Sequence, residues 1–218
     1  MDPEDLKVVH REVLRNKGEL LFAKAIILFE GITEEQLFPA MFEIYFDASP
    51  FERGVTLMSV GGKNYPPFIK LALSFGIPVF IVGDNDKTAK TEVESQISKL
   101  MKLASLKLDP DTFGMSFLST GNDIEAELIN VLNLKGEIIS ALVKAETRGS
   151  ENPKYIAAKA TEISALHNGD IILRMRNSKS SYSGYLPEVL IENPNKRKIE
   201  DRIPKALLDA FVTIKGWL

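Results

Sequence analysis

Ala25-Ile26-Ile27-Leu28-Phe29-Glu30-Gly31 and Val79-Phe80-Ile81-Val82-Gly83-Asp84-Asn85-Asp86 are two short apolar runs that each end at a turn carrying acids. Both are rich in β-branched and aromatic residues, the pattern of a strand buried on both faces of a parallel sheet. In an open α/β sheet, ligands gather beyond the carboxyl ends of the strands. Glu30, Asp84 and Asp86 are therefore expected to converge on one rim. Carboxylates brought that close repel one another, and a divalent cation is the usual remedy.

The runs on either side support a sheet with crossover helices. Strands are expected at 25–29, 55–60, 79–82 and 115–118. Helices are expected at 4–17 (apolar face Leu6, Val9, Val13, Leu14), from Thr33, over 67–75 and over 92–105. Thr33-Glu34-Glu35-Gln36 and Thr91-Glu92-Val93-Glu94 read as capping boxes. From Asp123 to Gly169 the pattern is helical only, over 123–133, 137–147 and 154–167. Strand character returns at Asp170-Ile171-Ile172-Leu173-Arg174-Met175-Arg176, followed by helices at 181–191 and 203–216. The fold class expected is α/β, a parallel-sheet domain with a helical insertion. Its segments are 1–123 and 170–218 as the two parts of the sheet domain, and 124–169 as the inserted helical subdomain.

Composition narrows the function. The chain has 218 residues, 44% hydrophobic, with a net charge of −3 and no cysteine. Disulfides and thiolate zinc sites are excluded, and a reducing compartment is favoured. The net charge is not that of a nucleic-acid coat protein, although a bound metal and a local basic patch can stand in for it. No apolar run reaches the ~18 residues of a membrane span, and the acidic start Met1-Asp2-Pro3-Glu4-Asp5 lacks a signal-peptide core. A soluble cytoplasmic protein without a membrane partner is expected. His10 and His167 are far apart and lack metalloprotease spacing. Gly61-Gly62-Lys63-Asn64 is too short for a phosphate-binding P-loop, so no nucleotide site is expected.

Each acid also has a plain reading. Glu30-Gly31 can be a strand-end turn, Glu34 a first-turn acid favoured by the helix dipole, and Asp84 and Asp86 turn caps. Asp123 and Glu125, after the fourth strand, can be an N-cap and a first-turn acid. Their shared rim favours a cation site, with Asp123 and Glu125 helping to hold a second ion. Lys179 could neutralise charge developing on a phosphoryl group. Arg174 and Arg176, two apart on the expected strand, would share a face. With Lys196-Arg197-Lys198 they could follow a DNA phosphate backbone.

Glu-Gly ending one strand and Asp-x-Asp ending a later one resemble the Toprim domain. The match is closer to the C-terminal nuclease region of the OLD (overcoming lysogenization defect) family of endonucleases. Leu21 to Glu34 resembles that family's lead-in to its first acidic motif, and Ser59-Val60-Gly61-Gly62-Lys63 and Gly76-Ile77-Pro78 look like further family features. The resemblance implies metal-dependent nicking and cleavage of DNA by two metals, Mg2+ with Mn2+ or Ca2+ as alternatives. It places the metal ligands at Glu30, Glu34, Asp84, Asp86, Asp123 and Glu125. The essential lysine falls on Lys179, with Lys154 and Lys159 also available. An ATPase domain normally stands upstream and is absent from these residues, so the chain reads as a fragment or as a stand-alone nuclease. Asp84-Asn85-Asp86-Lys87-Thr88 also resembles the Asp-x-Asp-x-Thr motif of haloacid-dehalogenase-like phosphatases, and a non-catalytic Toprim DNA-binding module is a third reading.

Overall fold

The structure is a computed structural model that describes Lys7 and residues 18–104, 109–192 and 198–218. The helix expected over 4–17 lies outside the described residues except for Lys7, as do Lys196 and Arg197.

Four five-residue strands form one sheet: β1 (Ala25–Phe29), β2 (Val55–Ser59), β3 (Val79–Gly83) and β4 (Phe113–Phe117). All are parallel, in the order β2-β1-β3-β4, with Ile26 opposite Val79 and Ile27 opposite Phe80. The two central strands are buried along their whole length, as their unbroken apolar sequence requires. The pleat sends alternate side chains to opposite faces. Ala25, Ile27 and Phe29 join one core with Phe80 and Val82, while Ile26 and Leu28 join another with Val79 and Ile81. Full burial of a side chain of this size is worth about 1.5–3 kcal/mol.

The chain leaves β1 through α1 (Ile32–Phe46) and α2 (Pro50–Arg53) to reach β2 at one edge. It returns through α3 (Pro66–Ser74) to β3, on the other side of β1, and α4 (Ala89–Ala104) leads on to β4. Strand order therefore reverses between β1 and β3. The crevice at that reversal is where an open α/β sheet exposes backbone and side chains to a ligand.

After β4 the described chain is helical: α5 (Ile124–Asn130), α6 (Lys135–Glu146), α7 (Pro153–Ser164), α8 (Asn168–Asn177), α9 (Lys179–Glu192) and α10 (Lys205–Trp217). α9 packs on α6 and on α1, and α10 packs on β4, β3 and β1, so the last helix rejoins the sheet. Among the described residues no helix is long and apolar enough to cross a membrane.

Three local expectations need correction. The strand expected at 170–176 is helix α8. Ile171, Ile172 and Met175 are its buried face and Leu173 is exposed, which is a helical stripe and not an alternation. Arg174 and Arg176 consequently point different ways. Thr33 is not a cap: α1 begins at Ile32 behind an extended Gly31, and no side chain caps it. Thr91 lies inside α4, which starts at Ala89, and its hydroxyl donates to the Thr88 carbonyl.

Candidate metal centre

The rim at the reversal is built from three strand ends and two helix starts. Glu30 follows β1, and Glu34 sits in the first turn of α1, 5% exposed. A Cβ on Gly31 would stand 3.1 Å from Glu34 Oε2, so the glycine leaves room for that carboxyl to lie over the turn. The Glu30 carbonyl accepts from Ser59 Oγ and from Gly62 N–H, each at 3.0 Å, which ties the β2–α3 loop to the acid. Gly62 makes this turn at φ 118°, a conformation that glycine adopts without strain.

Asp84 and Asp86 follow β3. Asn85 between them fastens their loop to the one after β4. Its side-chain N–H donates to the Leu118 carbonyl at 2.9 Å, its backbone N–H to the Asn122 carbonyl, and its own carbonyl accepts from Gly121 N–H. Glu127 braces the second loop by accepting from Ser119 and Asn122. The acid pair thus projects from a doubly anchored turn.

Asp123 is the N-cap of α5, accepting from Ala126 N–H at 3.0 Å, as a capping Asp should. Its other oxygen takes a 2.7 Å bond from Arg176 Nε. Glu125, in the first turn of α5, is fully buried. Its Oε1 accepts from Thr33 Oγ1 at 2.8 Å and from Tyr182 Oη at 3.2 Å. Its Oε2 lies 3.1 Å from Lys179 Nζ, an ion pair. Lys179 opens α9. Lys63, in the Ser59–Lys63 loop, pairs with Glu92 at 3.2 Å and faces Glu30.

Electrostatics show that these acids share one field. Burial, then the charges of Glu34, Glu30, Asp123 and Glu125, push the Asp84 carboxyl up to about 9. Burial, with Glu125 and Glu30 adding to it, lifts Glu34 to about 7 against the pull of its own backbone N–H and Lys179. Burial also raises Glu30, opposed by Lys63. Burial alone would raise Asp123, but Arg176, the Ala126 N–H and Lys179 outweigh it and hold it low. Lys179 is kept as an ammonium, because Glu125, Glu34 and Asp123 together outweigh its partial burial.

The site therefore has two unequal halves. Asp123 and Glu125 are already matched by Arg176, Lys179, Thr33 and Tyr182. Glu30, Glu34 and Asp84 are short of positive charge, and burial raises all three carboxyls above their ordinary values. Hard oxygen donors in that condition suit Mg2+, Mn2+ or Ca2+. Among the described residues no three such side chains stand close enough to share one ion.

The other expected residues fall elsewhere. Arg174 is engaged by both oxygens of Glu146 and by Glu162 at 2.9 Å, on the α6–α7–α8 side. Lys159 joins the same network with Glu146 and Glu162, and Lys154 lies in the first turn of α7. Lys198 is exposed. A separate groove of about 490 Å3 runs along edge strand β2 between Phe22, Pro39 and Phe51 and holds none of the acids. Thr33, Lys63, Tyr65 and Tyr182 carry no signal in the sequence that ties them to this rim.

Residues 21–86 match the family model described as Overcoming lysogenization defect protein-like, TOPRIM domain. That segment is similar to an OLD-like Toprim domain. The matched segment runs from the lead-in to β1 to Asp86, and so includes Glu30, Glu34, Asp84 and Asp86. The fold beyond it is similar to solved structures of OLD proteins. The C-terminal region of the Burkholderia pseudomallei OLD protein aligns with a TM-score of 0.60 at 21% identity, covering 89% of this chain and 98% of that one. The C-terminal region of the Xanthomonas campestris pv. campestris OLD protein aligns with a TM-score of 0.60 at 22% identity, covering 89% of this chain and 95% of that one. No curated protein matches the chain. The sheet, the helical stretch after β4 and the return of α10 thus share the fold of those two C-terminal regions.

Proposed function

We propose that this Toprim-like chain is a metal-dependent endodeoxyribonuclease that nicks and cleaves DNA. The observation that carries the reading is the charge-deficient group Glu30, Glu34 and Asp84 at the strand reversal, facing Asp123, Glu125 and the Lys179 ammonium. Glu30, Asp84 and Asp86 would hold one cation with Glu34 beside them, and Asp123 and Glu125 a second. Bound Mg2+ supplies Lewis-acid polarisation of a water and of the phosphodiester oxygens.

The chain's own residues do the rest. Lys179 is kept protonated and partly exposed, so it stabilises charge developing on the phosphate and does not act as a base. Arg176 orients Asp123, and Thr33 and Tyr182 fix Glu125. Arg176 and Lys179 already engage Asp123 and Glu125, so a second cation held there would have to share those carboxylates with them. Arg176, exposed at the rim, and the exposed Lys198, with neighbouring Lys196 and Arg197, are proposed contacts to DNA phosphates. Arg174 has a structural task in its ion pairs. An upstream ATPase domain, implied by the family resemblance, is the second proposed partner.

The phosphatase reading is weaker on two counts. Asp84 would have to be an ionised nucleophile, yet its burial and the acids around it favour the protonated form when no cation is bound. Asp84-x-Asp86 also ends the third strand and leaves Glu30 idle. The experiment is supercoiled-plasmid nicking with EDTA, Mg2+ or Mn2+, beside hydrolysis of a small phosphomonoester. Cation-dependent nicking lost in Glu30→Ala and Asp84→Ala supports the nuclease. Monoester hydrolysis without nicking would establish the phosphatase, and DNA retardation with neither activity a binding module.

A further inference from the structure

Lys63 ends a tightly tied turn. Ser59 Oγ donates to the Glu30 carbonyl at 3.0 Å and accepts from Gly61 N–H at 3.2 Å, and Gly62 N–H donates to the same carbonyl at 3.0 Å. Gly61 and Gly62 turn the chain at φ 67° and 118°, which glycine does without strain. Nothing lies within 4 Å of where a Cβ would project from either one, so the outer side of the turn is open. Lys63 follows directly, its backbone fixed against that of Glu30.

The ammonium is held as well. Lys63 Nζ donates to Glu92 Oε2 at 3.2 Å, and Thr88 Oγ1 donates to the other oxygen of Glu92. Glu92 lies in the first turn of α4, just beyond Asp86. Lys63 is partly exposed and Glu92 more so, and a pair so open to water contributes little to stability. Its position is more telling. α4 packs Val93 and Ile97 into the core of Ile26 and Leu28, while α9 packs Tyr182 and Leu186 into that of Ile27 and Phe29. Lys63, tied to α4, and Lys179, at the head of α9, therefore stand on opposite faces of the sheet with the strand-end acids between them. An extended polyanion crossing the strand ends from face to face meets an ammonium on each side of the acids.

We infer that Lys63 is a DNA-contact residue, its ammonium preset by Glu92 to bind a backbone phosphate flanking the one at the acids, on the sheet face opposite Lys179. The inference rests on the nuclease reading. Lysine meets phosphate as a point charge and needs no fork geometry, so a phosphate oxygen can take the place of the Glu92 carboxylate without moving the turn. A substrate with a single phosphate has no group to offer Lys63, whereas a nucleic-acid strand does.

The test is binding of a labelled DNA duplex to the full chain, read by fluorescence anisotropy at several KCl concentrations and one fixed Ca2+ concentration. Lys63→Gln should flatten the plot of log affinity against log salt by about 0.9, the value of one phosphate contact, with its deficit largest at low salt. Lys63→Arg should restore the parent slope. Glu92→Gln leaves the ammonium in place and should keep that slope too. A parent slope in Lys63→Gln overturns the inference, and plasmid nicking that still depends on Glu30 and Asp84 would leave the nuclease reading standing. Equal flattening in Glu92→Gln and Lys63→Gln also overturns it, because the pair would then be a tie that shapes the loop. A parent chain that neither binds the duplex nor nicks plasmid removes the nuclease reading, and this inference with it.

Discussion

Lys179 Nζ lies 3.1 Å from Glu125 Oε2, across a gap bridged by no other side-chain hydrogen bond, while the opposite oxygen of Glu125 takes bonds from Thr33 and Tyr182. The carboxylate is fully buried and the lysine is not. One residue is thus held on three sides by α1 and α9, with its charge answered by a side chain free to turn toward the rim. Breaking a buried pair at one partner costs more than removing both, because it strands a charge.

That asymmetry separates structure from chemistry at Lys179. Lys179→Ala should cut nicking by ~10²–10³, the range for a lost transition-state stabiliser. It should also cost about 1–3 kcal/mol by leaving Glu125 unanswered, discounted for the exposure of the lysine. Adding Glu125→Gln should restore the melting temperature without restoring nicking. Plasmid nicking and thermal melts on the single and double variants check this. Nicking at the parent rate in Lys179→Ala removes the lysine from the mechanism.

Metal-free stability should depend on pH through Asp84. Its folded-state carboxyl is raised to about 9 from an ordinary 3.8, so the folded chain binds this proton more tightly than the unfolded chain. The resulting stabilisation is fully present below the unfolded value and is lost as pH rises toward 9. Glu34, raised to about 7, acts in the same direction over a narrower window. Asp84→Asn should be more stable than the parent at pH 9 in EDTA, by about 1–3 kcal/mol, with the difference vanishing near pH 4. Melts in EDTA at pH 4, 7 and 9 measure it. A parent chain that gains on the variant as pH rises would contradict the sign.

The parts legible in the sequence are those decided locally. β1 and β3 are buried on both faces, so their unbroken apolar runs announced central parallel strands, and the acids after them could be placed on the rim. Asp123 was legible as an N-cap because capping is a three-residue matter. Helix α8 was misread because Ile171-Ile172-Leu173-Arg174-Met175-Arg176 is short enough to suit either period. Only the burial of Ile171, Ile172 and Met175 against the exposure of Leu173 decides it. Thr33 could not be assigned to Glu125, 92 residues away, when it also stood where a cap would. Tyr182 matters through its hydroxyl, and nothing in a sequence says where a buried hydroxyl points.

The two arginines of α8 should behave oppositely. Arg174 is locked to Glu146 and Glu162, while Arg176 reaches Asp123 from an exposed position. Arg174→Ala should lower the melting temperature by a few degrees and leave DNA affinity unchanged. Arg176→Ala should free Asp123, weaken DNA binding and flatten its salt dependence by about one phosphate contact. Binding isotherms at several salt concentrations test the pair. A salt slope that changes in Arg174→Ala and not in Arg176→Ala would reverse the assignment.

Two glycines pin β3 to β4 in a way that bears on Asp84. Gly83 stands opposite Phe117 and Gly114 opposite Phe80 in the ladder, each glycine making room for the ring across from it. A Cβ on Gly114 would stand 2.5 Å from the Phe80 ring, and one on Gly83 2.9 Å from the Phe117 ring. Phe80 is buried, at 4% exposure, and cannot withdraw. Phe117 is only partly buried on the edge strand and can. Gly114→Ala should therefore cost about 1–3 kcal/mol, the range for overpacking a core, and Gly83→Ala less. Gly83 directly precedes Asp84, however, so any adjustment there shifts the turn that carries the acids. Gly83→Ala should weaken Mn2+ binding more than Gly114→Ala does, the reverse of their order in stability. Melts and Mn2+ titrations on both variants provide the comparison. If the same variant is the more damaged in both measurements, the turn is not the element that sets the position of Asp84.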